Sequence, residues 1–422
     1  MSRLDIVIFG ATGFTGQKAV EEVARGGKDY DTLTWGVAGR SQDKLESLIK
    51  EVSKKTDRDL SKVKLIVADV KDEKSLKEMC SQTKVLVNCC GPYRLYGEPV
   101  VRAAIDAKTH YVDVSGEPEF IETMQLEYNA QAQDAGVYII SACGFDSIPN
   151  DMGVVYLQQN WEGTLNSVES YLSTYVSPEY SKEAVKSGTI NYGTWESLVY
   201  GLANSNKLPA LRKKLFPEKM PSYKPKLLPR GALHQWGGGY CLPFPGSDNS
   251  IVYRSQRGRY EAGYRPVQFR AYVKFSSLME TVLLAFVGVL LYAMTRTKCT
   301  TKLLLNYPRF FSGGMVTKEG PKEEVINNTH FEFQLVGKGW QKDDDIEATA
   351  PNKTIIGKVS GVNPGYGATV VALLHSALTI LREKEKMPGN GGVLTTALAF
   401  WDTTLIRRLN ENNLKFEIVE KK

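Results

Sequence analysis

The run Gly10-Ala11-Thr12-Gly13-Phe14-Thr15-Gly16 restricts the fold of this chain more than any other segment. It follows an apolar strand pattern, Leu4–Phe9, and opens a helical pattern over 15–25 that ends at Gly26-Gly27. A GxxGxxG turn between a strand and a helix, at the start of a βαβ unit, has a specific physical use. Gly10 permits the tight turn, Gly13 lets the backbone approach a pyrophosphate, and Gly16 allows close packing of helix on strand. The helix start then offers free N–H groups and a positive dipole end to phosphates.

The next 130 residues repeat the rhythm. Strand patterns fall at 33–38, 63–68, 85–89, 110–114 and 137–141, separated by helical patterns at 41–51, 75–80, 98–107 and 119–135. Short apolar runs alternating with helices predict a parallel sheet covered on both faces. The expected fold class is α/β: an N-terminal doubly wound Rossmann sheet over 1–150, binding its ligand at the carboxyl ends of the strands.

Those strand ends supply the candidate cofactor site: Gly10, Thr12, Gly13, Phe14, Thr15 and Gly16 in the first turn, then Arg40 and Ser41 after the second strand. An NAD site places a carboxylate after the second strand for the ribose 2′-hydroxyl. A cation and a hydroxyl suit a 2′-phosphate instead, so NADP is the expected cofactor. The alternative for Arg40 is a solvated surface arginine. Asp43 falls in the following helix's first turn, where an acid complements the dipole. Asp69 and Val70 close the third strand, where adenine would lie, although Asp69 also suits a helix cap. Asn88, Cys89, Gly91 and Pro92 close the fourth strand beside the expected nicotinamide. Tyr93, Tyr111 and Asp113 are the candidate proton donors, with simple packing an equal reading for Tyr93.

Charge and cysteine usage exclude several classes. A net charge of +6 is mild and spread along the chain, unlike the concentrated basic stripe of a nucleic-acid binder. The six cysteines form no CxxC pair, and the four histidines stand apart, so no metal site is expected. The opening residues read as a strand and not as a signal peptide, which places the chain in a reducing, cytosol-facing compartment.

Several motifs in fixed order carry a family resemblance. They are 88–93, Gly97-Glu98-Pro99-Val100, the run 110–117, Cys143-Gly144-Phe145-Asp146-Ser147-Ile148-Pro149-Asn150-Asp151-Met152-Gly153, Gly361-Val362-Asn363-Pro364-Gly365-Tyr366-Gly367, and Gly391-Gly392-Val393. In these the chain resembles the saccharopine dehydrogenase family, most nearly its eukaryotic oxidoreductase-like branch, and is similar to bacterial trans-acting enoyl reductases. The resemblance implies a Rossmann domain, NAD(P) and hydride transfer. Lysine-pathway members end the run corresponding to 144–152 near a histidine that this chain lacks. No arginine cluster appears in these motifs to hold an amino-acid carboxylate, which argues against saccharopine as substrate.

From about 166 the patterning changes to longer alternating strands at 167–176, 267–275, 330–336 and 353–359. These predict an α+β substrate domain over 151–360 with a mixed or antiparallel sheet. The run 207–230 reads as a loop or lid with short helical pieces, and 236–240 as another loop. The stretch 361–422 reads as helices, at least one packing back on the Rossmann domain.

Leu278–Met294 stands apart, being apolar except for Glu280 and Thr281 and followed by Arg296, Lys298 and Lys302. Its uncharged part would make ~21 Å of helix at ~1.5 Å per residue, short of the ~30 Å core of a bilayer. Three readings remain: insertion into one leaflet, a buried core helix, or an oligomer contact such as a homodimer interface. The basic flank favours insertion, and a lipid droplet's monolayer suits a helix that enters without crossing. The resemblance also implies droplet association.

The expected function is an NADP-dependent oxidoreductase at a membrane or lipid-droplet surface. Its substrate would be a lipid-like or apolar molecule with a C=O, C=C or C=N bond. Two alternatives stay open: a nucleotide-binding scaffold or sensor without catalysis, and a saccharopine-type amino-acid dehydrogenase.

Overall fold

The computed structural model describes residues 2–145 and 147–422. Asp146, quoted above within a family motif, lies outside the described residues. In chain order the elements begin β1 (Leu4–Phe9), α1 (Phe14–Arg25), β2 (Trp35–Gly39), α2 (Gln42–Thr56), β3 (Lys64–Val67), α3 (Glu73–Ser81), β4 (Thr83–Asn88), α4 (Tyr93–Asp106), β5 (His110–Asp113), α5 (Pro118–Ala135) and β6 (Tyr138–Ile140). There follow α6 (Ile148–Gln159), β7 (Gly163–Val176), α7 (Ser181–Ser187), α8 (Tyr192–Asn204), α9 (Leu208–Leu215), β8 (His234–Trp236), β9 (Gly239–Pro243), α10 (Asp248–Glu261) and β10 (Gln268–Phe275). The remainder is α11 (Leu278–Met294), α12 (Lys298–Asn306), α13 (Pro308–Phe311), α14 (Glu323–Asn327), β11 (Thr329–Gln341), β12 (Lys353–Val362), α15 (Thr369–Glu383), β13 (Gly392–Leu394), α16 (Thr396–Phe400), α17 (Leu405–Glu411) and β14 (Lys415–Lys421).

The chain divides into two compact units, one from 2–145 with 366–409, the other from 147–365 with 410–422. The first holds a seven-stranded sheet in the order β13-β6-β5-β4-β1-β2-β3. Every pairing in it is parallel. Its order reverses beside β1, which is the topological switch point of a doubly wound fold. The apolar run of β1 explains its central place, since Ile6, Val7, Ile8 and Phe9 are all buried. A strand covered on both faces needs apolar residues at every position rather than at every second one. Helix α1 buries Ala19, Val20 and Val23 and stops at Gly26, whose φ of +73° suits glycine.

The second unit holds a mixed seven-stranded sheet, β14-β12-β11-β7-β10-β9-β8. Strands β7 and β10 run parallel, and the other pairings are antiparallel. Helix α6 covers one face. A Cβ at Gly153 would come within 2.9 Å of Leu335 and one at Gly357 within 2.7 Å of Leu157, so the glycines set how closely helix and strands pack.

Two expectations need correction. Residues 236–240 form no open loop. They turn the β8–β9 hairpin through Gly237 and Gly238, with φ of +52° and +75°. Positive φ at both central residues is what the type I′ turn of a two-residue hairpin requires. Nor is 361–422 wholly helical: β13 pairs with β6 in the first sheet, and β14 pairs with β12 in the second. Three residues are too few to show a period, and Lys415–Lys421 carries charges that suit an exposed sheet edge.

Candidate functional site

The glycine turn after β1 is built as a cradle. Gly10 has a φ of +76°, and a Cβ there would lie 2.9 Å from the Cys90 amide nitrogen. Gly16 is more constrained still, because its Cβ would fall 2.2 Å from the Gly10 carbonyl oxygen. Gly13 donates its N–H to that same oxygen at 2.9 Å and forms the N-cap of α1 with no side chain capping the helix. The first amides of α1, at Phe14, Thr15 and Gly16, therefore have no partner within the helix. They face the place where an anion gains most from the helix dipole. Thr12 and Thr15 are half-buried around the turn, and the Phe14 ring packs on Tyr366 with centroids 4.2 Å apart.

Arg40 is exposed at the end of β2 and makes no ion pair among the described residues. Ser41 caps α2, its hydroxyl accepting from the Lys44 amide at 3.4 Å. Asp43 sits in the first turn of α2, where it complements the dipole. At the end of β3, Asp69 does not cap the next helix. Asp72 does, accepting from the amides of Lys74 and Ser75, while Asp69 Oδ1 accepts the amide of Lys71 at 3.0 Å. Asp69 and Val70 are both half-buried beside the strand end.

The loop after β4 shows what the sequence could not. Gly91 is exposed, and Cys89 and Pro92 are half-buried. Asn88, in contrast, is buried and turned inward. Its Nδ2 donates to the Tyr111 hydroxyl at 2.9 Å, and its Oδ1 accepts the Cys90 amide at 2.9 Å. Tyr111 donates in turn to Asp113 Oδ2 at 2.8 Å. The other bonds to the Asp113 carboxylate come from the Ser141 hydroxyl at 2.9 Å, the Ser115 amide at 2.9 Å and the Ala142 amide at 3.1 Å. Tyr93 donates to the Asn88 carbonyl at 2.9 Å. Strand geometry explains the grouping: Asn88 is the register partner of Asp113, and Tyr111 precedes Asp113 by two on the same face.

Tyr93, Tyr111 and Asp113 thus form one closed buried network. Burial pushes the Asp113 carboxyl up to about 6 against its own hydrogen bonds, and pushes both tyrosines well above the ordinary phenol range. With its acceptor positions filled, Asp113 has no free lone pair aimed at a substrate. The network fixes the shape of the loop 88–92. Sequence reasoning missed Glu117, whose buried carboxylate accepts the amides of Tyr93 and Arg94, each at 3.1 Å, and so closes the start of α4. It also gave no role to Tyr366, more than 350 residues from Phe14. The signal for Tyr366 was its place in the glycine-rich motif 361–367.

These residues fit a dinucleotide. The cradle is one that any Cβ would fill, the helix start is uncapped, and the end of β2 presents a cation where an NAD site holds an acid.

Comparisons with known proteins agree with that geometry. Residues 6–140 match the family model of the saccharopine dehydrogenase NADP binding domain. A human saccharopine dehydrogenase-like oxidoreductase is 39% identical over 98% of this chain and 97% of its own. A Caenorhabditis elegans protein named "Lipid droplet localized protein" is 38% identical over 99% of each. Apo saccharopine dehydrogenase (L-Glu forming) from Saccharomyces cerevisiae shares the fold, with a TM-score of 0.54 at 15% identity, over 99% of this chain and 100% of that one. The chain therefore belongs to the saccharopine dehydrogenase-like oxidoreductases, and its first unit is their NADP-binding domain.

Proposed function

We propose that this protein is an NADP-dependent oxidoreductase that works at a lipid surface, a lipid droplet in particular, on a lipid-like or apolar substrate. The observation that carries the reading is the exposed face of α11. Met279, Val282, Leu283, Phe286, Val289 and Leu290 are all at least 43% exposed and recur with helical spacing. The opposite side is seated, since Leu291, Val287 and Met294 pack against Trp195 and Val199 of α8. The exposure of the outer face argues against the buried-core reading. Leu303, Tyr307 and Phe310 add exposed apolar area nearby in the chain, and Arg296, Lys298, Lys302 and Arg309 are exposed among them. Contiguous apolar surface with a basic rim is the pattern of an interfacial segment. The name of the worm relative supports the same location.

When bound, NADP(H) supplies hydride transfer to or from a C=O, C=C or C=N bond. The chain's own part is to cradle the phosphates with the 10–16 turn, to set Arg40 against the 2′-phosphate, and to hold the loop 88–92 through the Asn88–Tyr111–Asp113 network. Tyr93, Tyr111 and Asp113 are accordingly positioning residues.

The test has two stages. NADPH should bind more tightly than NADH, and Arg40→Ala should remove that preference at a cost of about tenfold or more in NADPH affinity. NADPH oxidation is then followed over a panel of lipid carbonyls and enoyl thioesters presented on liposomes. Turnover of one class supports the proposal. Tight NADPH binding with no turnover favours the second reading, a nucleotide-binding scaffold at a lipid surface. That reading rests on the closed network, in which both tyrosine hydroxyls already donate and the acceptor positions of Asp113 are filled.

A further inference from the structure

The second unit contains a pocket that the redox reading does not use. It is an open cavity of about 270 Å³ between the segment 220–227, one face of α10 and strand β10. That volume is close to the lower end of the ~300–1,000 Å³ typical of small-molecule sites. Its outer wall is tied down at several points. The Leu227 amide donates to Gln268 Oε1 at 2.8 Å, and Gln268 Nε2 donates to the Pro225 carbonyl at 2.9 Å. Arg265 donates to the Lys224 carbonyl at 2.9 Å and lies 4.6 Å over the Tyr223 ring. The pocket therefore has a built wall rather than a passing loop.

The lining is divided chemically. Met220, Leu227 and Tyr253 give apolar surface, Lys226 and Arg270 give positive charge, and among the described residues no Asp or Glu lines the cavity. Neither cation makes an ion pair among the described residues, and the buried Nε of Arg270 makes no hydrogen bond there. Glu169, the register partner of Arg270 on β7, is already held by Arg230 through two bonds of 2.7 Å each. That cross-strand carboxylate thus spends its two oxygens on another arginine. Two uncompensated cations beside an apolar wall select a ligand that has both an anionic head and an apolar body.

We propose that this pocket binds a small anionic amphiphile, its carboxylate or phosphate held by Arg270 and Lys226 and its chain lying against Met220, Leu227 and Tyr253. The inference is independent of the redox reading, since it uses no residue of the nucleotide site.

Calorimetric titration of the full chain with decanoate, decyl phosphate and decanol, each below its micelle concentration, tests it. Saturable one-to-one binding of decanoate or decyl phosphate is expected, at least tenfold tighter than decanol, and the tighter of the two anions identifies the head group. Arg270→Gln should weaken that binding at least tenfold, Arg270→Lys should keep most of it, and exposed Lys226→Glu should weaken it severalfold. Binding should survive Leu283→Ser/Phe286→Ser/Val289→Ser, which removes the apolar face of α11 as a competing site. A urea unfolding transition like the parent's, with the same denaturant slope, reports that each variant has folded, the second unit included. If Arg270→Gln fails that check, the exposed Lys226→Glu variant decides. The proposal is overturned by the absence of saturable binding of either anion, by equal affinity for decanol, or by variants that fold and bind as well as the parent.

Discussion

Helices α15 and α11 are both strongly apolar, yet the fold gives them opposite roles. The helical stretch Pro364–Lys386, which contains α15, is long and apolar enough to cross a membrane by length and composition. Nevertheless α15 belongs to the first unit's interior, where Leu373, Leu374, Ala377, Leu378 and Ile380 are buried. It packs there against β4, β5 and α1. Helix α11 is shorter and buries only Thr281 and Leu291. Hydropathy measures how much apolar surface a helix has. Only the neighbours decide whether that surface is satisfied within the fold or left for something else to cover.

The largest effect that separates the two helices should appear in stability. Leu374→Ala removes fully buried side-chain volume from α15 and should cost about 2–5 kcal/mol, read as a lowered denaturant midpoint. Each serine in the α11 variant Leu283→Ser/Phe286→Ser/Val289→Ser should cost less than ~0.5 kcal/mol, because it replaces a side chain at least 60% exposed. A loss from the α11 variant as large as that from Leu374→Ala would return α11 to the core or to an oligomer contact, and the comparison would fail.

The same α11 variant gives the next effect. If these three side chains enter a lipid monolayer, each forfeits roughly 1 kcal/mol or more of apolar transfer, and partition to liposomes should fall on the order of a hundredfold. Flotation with the parent chain as control measures it. Unchanged flotation would remove the membrane reading while leaving the NADP site untouched.

Much of this was legible in advance, and the failures have a common cause. Strand β1, the glycine turn and α1 could be read because propensity, period and turn chemistry agree over a short stretch of chain. The bounds of α11 followed from an apolar run interrupted only by Glu280 and Thr281. What stayed hidden was decided by partners far away in sequence. Strand β13 has three residues and exists because β6 offers it an edge. The sequence showed Asn88, Tyr93, Tyr111 and Asp113 near strand ends, where ligands bind. It did not show that register would turn them toward one another. Similarly, Ser41 and Asp72 proved to be caps, which local chemistry allows but does not require.

The smallest effect is a pH dependence carried by the first unit and not by α11. His375, on α15, is buried with its Nε2 3.5 Å from the Tyr30 hydroxyl. Burial holds the imidazole down to about 4, helped by the charges of Arg408 and Arg382 and opposed by Asp29. Between about 4 and 6.5 the unfolded chain therefore binds a proton at His375 that the folded unit does not, and this term makes stability rise with pH. Asp113 works in the other direction. Its carboxyl is raised from 3.8 to about 6, so in most of the same window the folded unit holds a proton that the unfolded chain has lost, and stability falls as pH rises. The two terms largely cancel from pH 4 to 6. Glu383, held from 4.5 down to about 2, and Asp29, held below 3.8, lose their contributions as pH falls through those unfolded values, so the opposing terms of His375 and Asp113 stand clear of them from about pH 5 to 6. Single substitutions should expose the opposing slopes. His375→Leu leaves the Asp113 term, so stability should decline toward pH 6, whereas Asp113→Asn leaves the His375 term, so it should climb. Each slope should approach ~1.4 kcal/mol per pH unit, one proton's worth, in denaturation series at half-unit intervals. Liposome flotation through α11 should stay level over pH 4–7 wherever the fold persists. Parallel slopes in the two variants would mean that these buried groups do not set the first unit's response to acid.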